Sequence, residues 1–275
     1  MLDRLTNIFF SLALVFVFIV YGDSQDHGQI LIGISLALVL ATIAFIFNWL
    51  TIDGAISAGI LGSFAYGLGG MTGAAVLLAF FISGSLLSKD LISLDDLLEK
   101  KFRRNSLQVW SNGFWFSFWI LIWFQSGVEA FLIASVSSVG FAASDTWATE
   151  IGEKRLKGKT RLITTGKKVS PGTDGGVSFY GTVAAVAGAI FISLAYWLFE
   201  MESSLSTIMV IAISGFLGCL IDSYIGARFQ NNKYNIPGIS WMDREYLYVS
   251  NNFVNWISSG IASLISLIII LIFSV

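Results

Sequence analysis

LSTIMVIAISGFLGCLIDSYIGA, residues 205–227, is 23 residues long and carries one charge, Asp222. A helix of about 20 apolar residues crosses the hydrocarbon core of a bilayer. The stretch therefore reads as a membrane span with a carboxylate inside it. Such a group costs about 2.5–3.5 kcal/mol at the centre of an inserted helix, so it is normally paired, turned to a cavity or functional. Gly218 and Gly226 stand one turn to either side of Asp222 on the same face. They let a neighbouring helix approach closely, which turns the carboxylate into the bundle and away from lipid.

The same ruler, moved along the chain, gives nine spans: 5–22, 29–50, 54–70, 72–88, 110–126, 128–144, 179–199, 205–227 and 252–274. The expected fold is all-α, a polytopic transmembrane helix bundle forming a single integral membrane domain over residues 1–275. Spans three and four are separated only by Gly69 and Gly70, so they form either a tight hairpin or a re-entrant pair. Small residues recur every fourth position in several spans, as at Gly54, Ala58 and Gly62 or Gly181, Ala185 and Ala189, which suits close helix packing in lipid. Residues 1–22 lack a clean cleavage site after their apolar core and read as an uncleaved first helix. No Arg- and Ser-rich transit segment is seen, which favours a bacterial or archaeal cytoplasmic membrane protein.

Composition agrees. Only 12% of the 275 residues are charged and 55% are hydrophobic, whereas soluble domains are about 25% charged. The single cysteine, Cys219, excludes a disulfide framework and a Cys-based metal site. The single histidine, His27, falls in a loop on the side away from the basic residues. A histidine-centred hydrolase is thereby disfavoured. A net charge of −2 gives no sign of a nucleic-acid partner.

All 16 Lys and Arg residues fall on one side of this threading. Arg4 is in the N-terminal tail. Lys89, Lys100, Lys101, Arg103 and Arg104 belong to a loop near 89–109. Lys154, Arg155, Lys157, Lys159, Arg161, Lys167 and Lys168 belong to one near 145–178, and Arg228, Lys233 and Arg244 to one near 228–251. The opposite side holds Asp23, Asp26, Glu129, Glu200 and Glu202. Short basic loops stay cytoplasmic, which puts the N-terminus inside and the C-terminus outside.

The residues with plausible chemistry lie on the basic side. Asp53 precedes span three, Asp145 ends span six, Glu150 follows one turn later, and Asp222 lies in span eight. Ser135, Ser138, Ala142, Asp145 and Thr149 form one stripe. Glu150 points about 140° from Asp145 on a continuous helix, so the two share a site only if the helix ends there. Before span seven runs a stretch of hydroxyls, lysines and glycines: Thr164, Thr165, Gly166, Lys167, Lys168, Ser170, Gly172, Thr173, Asp174, Gly175 and Gly176. Glycines bring backbone N–H groups to an anion, lysines add charge, and the following helix start adds its positive end. The stretch is not a Walker A loop. Carboxylates without His or Cys suit Mg2+ shared with substrate phosphates, a setting for phosphoryl transfer. Asn252 and Asn255 at the start of span nine are candidate substrate-binding or capping residues. For the basic residues of the second loop, a role in orienting the chain stays open beside phosphate binding.

ASDTWATEIG (143–152), RLITTGK (161–167) and PGTDGGVS (171–178) together resemble the integral membrane family known as domain of unknown function 92. LTIDGA (50–55), DSYIGARFQ (222–230) and NNFVN (251–255) agree with it. That family includes animal transmembrane protein 19 and the chloroplast phytyl-phosphate kinase of tocopherol synthesis. The resemblance implies phosphorylation of an isoprenoid monophosphate to its diphosphate, with CTP or ATP as donor. Combined with the chemistry above, the expected roles are as follows. Asp145 and Asp222 hold Mg2+, with Asp53 or Glu150 completing the shell. Lys167, Lys168 and the glycine loop cradle donor phosphates, and Asn252 or Asn255 meets the acceptor. The lipid tail lies between small-faced spans such as three and eight. A CDP-lipid-forming or other lipid phosphotransferase, a transporter using the same carboxylates, and a homo-oligomeric state all stay open.

Overall fold

The computed structural model describes residues 2–89, 103–155, 159–230, 233–235 and 246–273. Most of the first basic loop and much of the third, with Lys100, Lys101, Lys157 and Arg244, lie outside the described residues. Nine long helices occupy the nine expected stretches among the described residues: α1 Leu2–Val20, α2 Ser24–Ile46, α3 Ile52–Gly67, α4 Gly70–Lys89, α5 Ser106–Ser126, α6 Glu129–Trp147, α7 Phe179–Trp197, α8 Leu205–Phe229 and α9 Asn251–Phe273. Six of them, α1, α2, α4, α7, α8 and α9, are long and apolar enough to cross a membrane.

α6 is the axle. It packs against α4, α5, α7, α8 and α9, and 14 of its 19 residues are buried. A helix enclosed by other helices need not be apolar all round, so α6 carries Ser135, Ser137, Ser138 and Ser144 fully buried. The Ser135 and Ser138 hydroxyls donate back to Leu132 O and Ser135 O of the same helix. The Ser144 hydroxyl crosses to Ala185 O of α7 at 2.8 Å. Close approach makes this possible: a Cβ at Gly188 would stand 2.7 Å from Ala143 O, and one at Gly215 2.7 Å from Gly140 C. α7 and α8 thus lie against the α6 backbone.

α2 begins at Ser24, earlier than the hydropathy boundary at 29. Asp23 and Asp26 form a reciprocal capping box, which satisfies the first free N–H groups. Asp26 and His27 are therefore helical, and His27 Nε2 lies 2.7 Å from Phe18 O. α3 has 16 residues and meets α4 after two residues, with Gly70 at φ +60°. The two form a tight hairpin. α1 docks through Asn7, whose Oδ1 accepts from Trp110 Nε1 (2.6 Å) and Ser57 Oγ (2.9 Å).

The ends of the bundle differ. At one end Tyr196 OH donates to Glu129 Oε1 (3.3 Å), and Thr72 Oγ1 donates to Glu200 Oε1 (2.7 Å). The other end carries the π-helix and the strands found among the described residues. α6 runs on into a π-helix, Ala148–Arg155. The following loop folds into a three-stranded antiparallel sheet, β1 Thr160–Leu162, β2 Lys168–Val169 and β3 Gly176–Val177, in the order β2-β1-β3. β4 Lys233–Asn235 pairs with β5 Tyr246–Tyr248 before α9. Strands this short have no periodicity to betray them in a sequence.

Candidate functional site

Asp145 lies in the last turn of α6, on the wall of a partly open cavity. Cys219 and Ser223 of α8 form one side. Gly172, Thr173 and Gly176 of the glycine loop form another, with Thr160 of β1. Ser178, Gly181 and Thr182 bring in the start of α7, and Thr149 of the π-helix lines the cavity too. Among the described residues, no Lys or Arg lines it.

Local chemistry explains the wall. Ser178 caps α7 by accepting from Gly181 N at 3.1 Å, and the positive end of a 19-residue helix faces the cavity. Thr173 folds the loop by donating its hydroxyl to Ser170 O at 2.8 Å. Gly175, at φ +73°, lies so close to α8 that a Cβ would meet Ala227 Cβ and Ser223 O. Beside it Asp174 Oδ1 accepts from Gln230 Nε2 at 2.7 Å. The loop is therefore clamped to the end of α8, which explains why PGTDGGVS and DSYIGARFQ belong to one constellation. The π-helix is held on the other flank, where Gly152 allows near-contact with Gly181 of α7.

Asp222 is buried one step behind the cavity, turned towards α9. With the Asn255 amide oriented by its hydrogen bonds, its nitrogen donates to Asp222 Oδ2 at 3.3 Å and to Asn251 O at 3.0 Å. Asp145 and Asp222 are near enough to repel each other, and both act on Cys219 between them. Asn252 shares the first turn of α9 and is half-buried.

Other expected site residues take different places. Asp53 accepts from Ser106 N at 2.9 Å and ties the start of α3 to the start of α5. Its carboxyl is pushed up by partial burial but held below its ordinary value overall, chiefly by that N–H. Glu150 is buried and turned to α4, where it accepts from Ser88 Oγ at 2.9 Å. The two carboxylates face different neighbours, as the separation of about 140° on a continuing helix anticipates, and the helix runs on through this point as a π-helix. Among the described residues, no three His, Cys, Asp or Glu side chains are grouped to hold a metal ion.

Lys167 and Lys168 stand exposed on the β1–β2 hairpin, outside the cavity wall. The pairing of Arg161 with Lys168, and the turn in which Gly166 N donates to Leu162 O, carry them outward. Thr164, Thr165 and Gly166 form that turn, and Arg161 Nη1 secures it on Gly166 O at 2.7 Å. Ser170 serves through its carbonyl. Thr160 and Thr182 were not singled out in the sequence. Each is a common residue beside a stronger motif, and only tertiary contact brings it to the cavity.

The chain matches the family described as integral membrane protein DUF92 over residues 35–263. It is 34% identical to Uncharacterized membrane protein MJ0933 of Methanocaldococcus jannaschii, over 74% of this chain and 84% of that protein. It is 29% identical to Protein PGR of Arabidopsis thaliana, over 89% of this chain and 97% of that protein. To Protein VTE6, chloroplastic, of the same plant it is 31% identical, over 45% of this chain and 35% of that protein. No solved structure matches the chain. With its motifs gathered at one end of the bundle and the family match spanning most of its length, the chain belongs to the integral membrane protein DUF92 family.

Proposed function

We propose that the chain is a nucleotide-dependent kinase that converts an isoprenoid monophosphate, phytyl or prenyl, to its diphosphate. One observation carries this reading: Asp145, with Asp222 close behind, faces a cavity whose far wall is a glycine loop and a helix start. That wall suits phosphate, through backbone N–H groups and hydroxyls. The resemblance to a family that includes the chloroplast phytyl-phosphate kinase supplies the substrate class.

Two carboxylates that repel each other, beside a wall of hydroxyls and backbone N–H groups suited to phosphate, fit a divalent cation. Asp145 would bind Mg2+ directly, and Asp222 would join it or balance its charge. When bound, the ion neutralises charge on the donor phosphates. The chain's own groups do the rest. Thr173, Gly176 and the start of α7 hold the donor, CTP or ATP, and the hydroxyls of Thr149, Thr160 and Thr182 orient it. An oxygen of the acceptor phosphate attacks the γ-phosphorus of the donor. That P–O bond forms while the bond to the bridging oxygen breaks, and the nucleoside diphosphate leaves. The acceptor is already anionic, so no strong general base is required. Lys167 and Lys168, outside the cavity, would steer nucleotide towards it.

In this reading the helices cross nine times in a bacterial or archaeal cytoplasmic membrane, with the N-terminus cytoplasmic and the C-terminus outside. The one-sided distribution of all 16 basic residues supports it. The test is direct. Purified protein with Mg2+ and geranylgeranyl or phytyl monophosphate should take label from a γ-labelled nucleoside triphosphate into lipid diphosphate. Label entering lipid only from the α-position would mean a CDP-lipid former instead, and transfer from neither would sink both readings.

A further inference from the structure

A second cavity, a narrow one open to its surroundings, lies between α2, α3, α4 and α5. Its wall is almost wholly apolar, with Ala41, Ala58, Leu61, Leu77, Phe81 and Gly113 among its residues. The small side chains leave a slot where larger ones would close it. From Ala37 to Ala44 it follows two turns of α2, about 10 Å.

Its polar groups collect at one end. Arg104, Gln108 and Asn112 line it there. Arg104 is half-buried, and its guanidinium lies over the Phe80 and Phe81 rings, 5.4 and 5.8 Å from their centroids. Glu150 acts on it electrostatically. Beside that end, two further buried donors have no acceptor among the described residues: Arg103 Nε, and the indole N–H of Trp49, which packs edge-on against Phe81. Against these donors stands the Glu150 carboxylate, which also accepts from Ser88, so an added anion would complete the balance of charge and hydrogen bonds here. Arginine presents a planar fork that matches phosphate.

The slot ends beside the first site. A Cβ at Gly84 would stand 2.6 Å from Arg104 Nη2 and 3.3 Å from Thr146 Cγ2. The guanidinium thus lies against the end of α6, one residue from Asp145 and on the flank away from the glycine loop.

We propose that this slot binds a single-chain lipid monophosphate, with the tail between α2, α3, α4 and α5 and the phosphate on Arg104. The proposal deepens the kinase reading by giving its acceptor a place, and its test requires no turnover. The probe is geranylgeranyl monophosphate with a diazirine at the far end of its chain, irradiated with the full-length protein in nanodiscs without nucleotide. Label should map to slot residues such as Ala41, Ala58 and Leu77. Unlabelled geranylgeranyl monophosphate should compete at least tenfold better than geranylgeraniol. Arg104→Gln should make the two competitors equal, and Arg104→Lys should restore part of the difference. Ala58→Phe, which fills the slot, should remove the label while thermal unfolding stays unchanged. Label spread over the lipid-facing perimeter without competition overturns the proposal, as does wild-type labelling in both Ala58→Phe and Arg104→Gln. Slot labelling without transfer from any nucleotide would retain the binding site and refute the kinase.

Discussion

Asp145 and Asp222 are held close enough to repel each other, and among the described residues no basic side chain lines the cavity wall. Asp145→Asn and Asp222→Asn should each lower kcat at least 100-fold, the scale of losing one electrostatic contact to a transition state. Neither should impair insertion or thermal stability, because each relieves a like-charge pair. Full activity in both variants would remove the cation assignment. Both residues stand out in the sequence, because a carboxylate in an apolar run has few bland explanations. The angle between Glu150 and Asp145 follows from their spacing, but the π-turn after Asp145 does not, since no spacing rule written for 3.6 residues per turn anticipates one. The outward direction of Lys167 and Lys168 was hidden for a related reason: a strand pairing of two residues decides which way they point.

The elements were legible where length and hydropathy decide them, and the nine apolar stretches became nine helices among the described residues. Their ends were less so, because capping moves a boundary without changing hydropathy. Asp23 shows this. Backbone N–H groups of Asp26 and Gln25 hold its carboxyl below the ordinary carboxylate value. A depressed value means that its contribution is complete above the unfolded value, about 3.9. The contribution is lost as pH falls through the lower folded one. Protection of the Gln25 and Asp26 amides, measured as exchange relative to the intrinsic rate at each pH, should therefore fall on acidification below about pH 4, and Asp23→Asn should keep the cap while flattening that dependence. The glycine loop offers a sharper test. Gly175→Ala places a Cβ on α8 at a backbone conformation costing about 1–3 kcal/mol for residues with side chains. It should lift the loop from Ser223 and Ala227, lower Tm and raise KM for nucleotide. Gln230→Ala, which removes only the tether to Asp174, should raise that KM with little change in Tm.

At the scale of the whole molecule, the chain concentrates its irregular backbone, clamped loop and paired carboxylates at one end of a helix bundle. Accessibility of single cysteines placed at Lys167 and Glu202, in a Cys219→Ser background, should differ by face, with position 167 reachable only from the cytoplasm. Labelling of both from one side would overturn the threading. The axial helix α6 has a further consequence through its π-helical end. Each widened turn holds a residue that a regular helix would not need. The segment 148–155 thus acts as a phase shifter in the chain's residue count. A one-residue deletion at Thr149 would only give that spare residue back, leaving later positions near their former directions, whereas a one-residue insertion after Thr149 would turn every position beyond by about 100°. Gly152 would then miss Gly181. The insertion variant should enter the membrane, resist protease and show no activity, an error of indexing and not of folding.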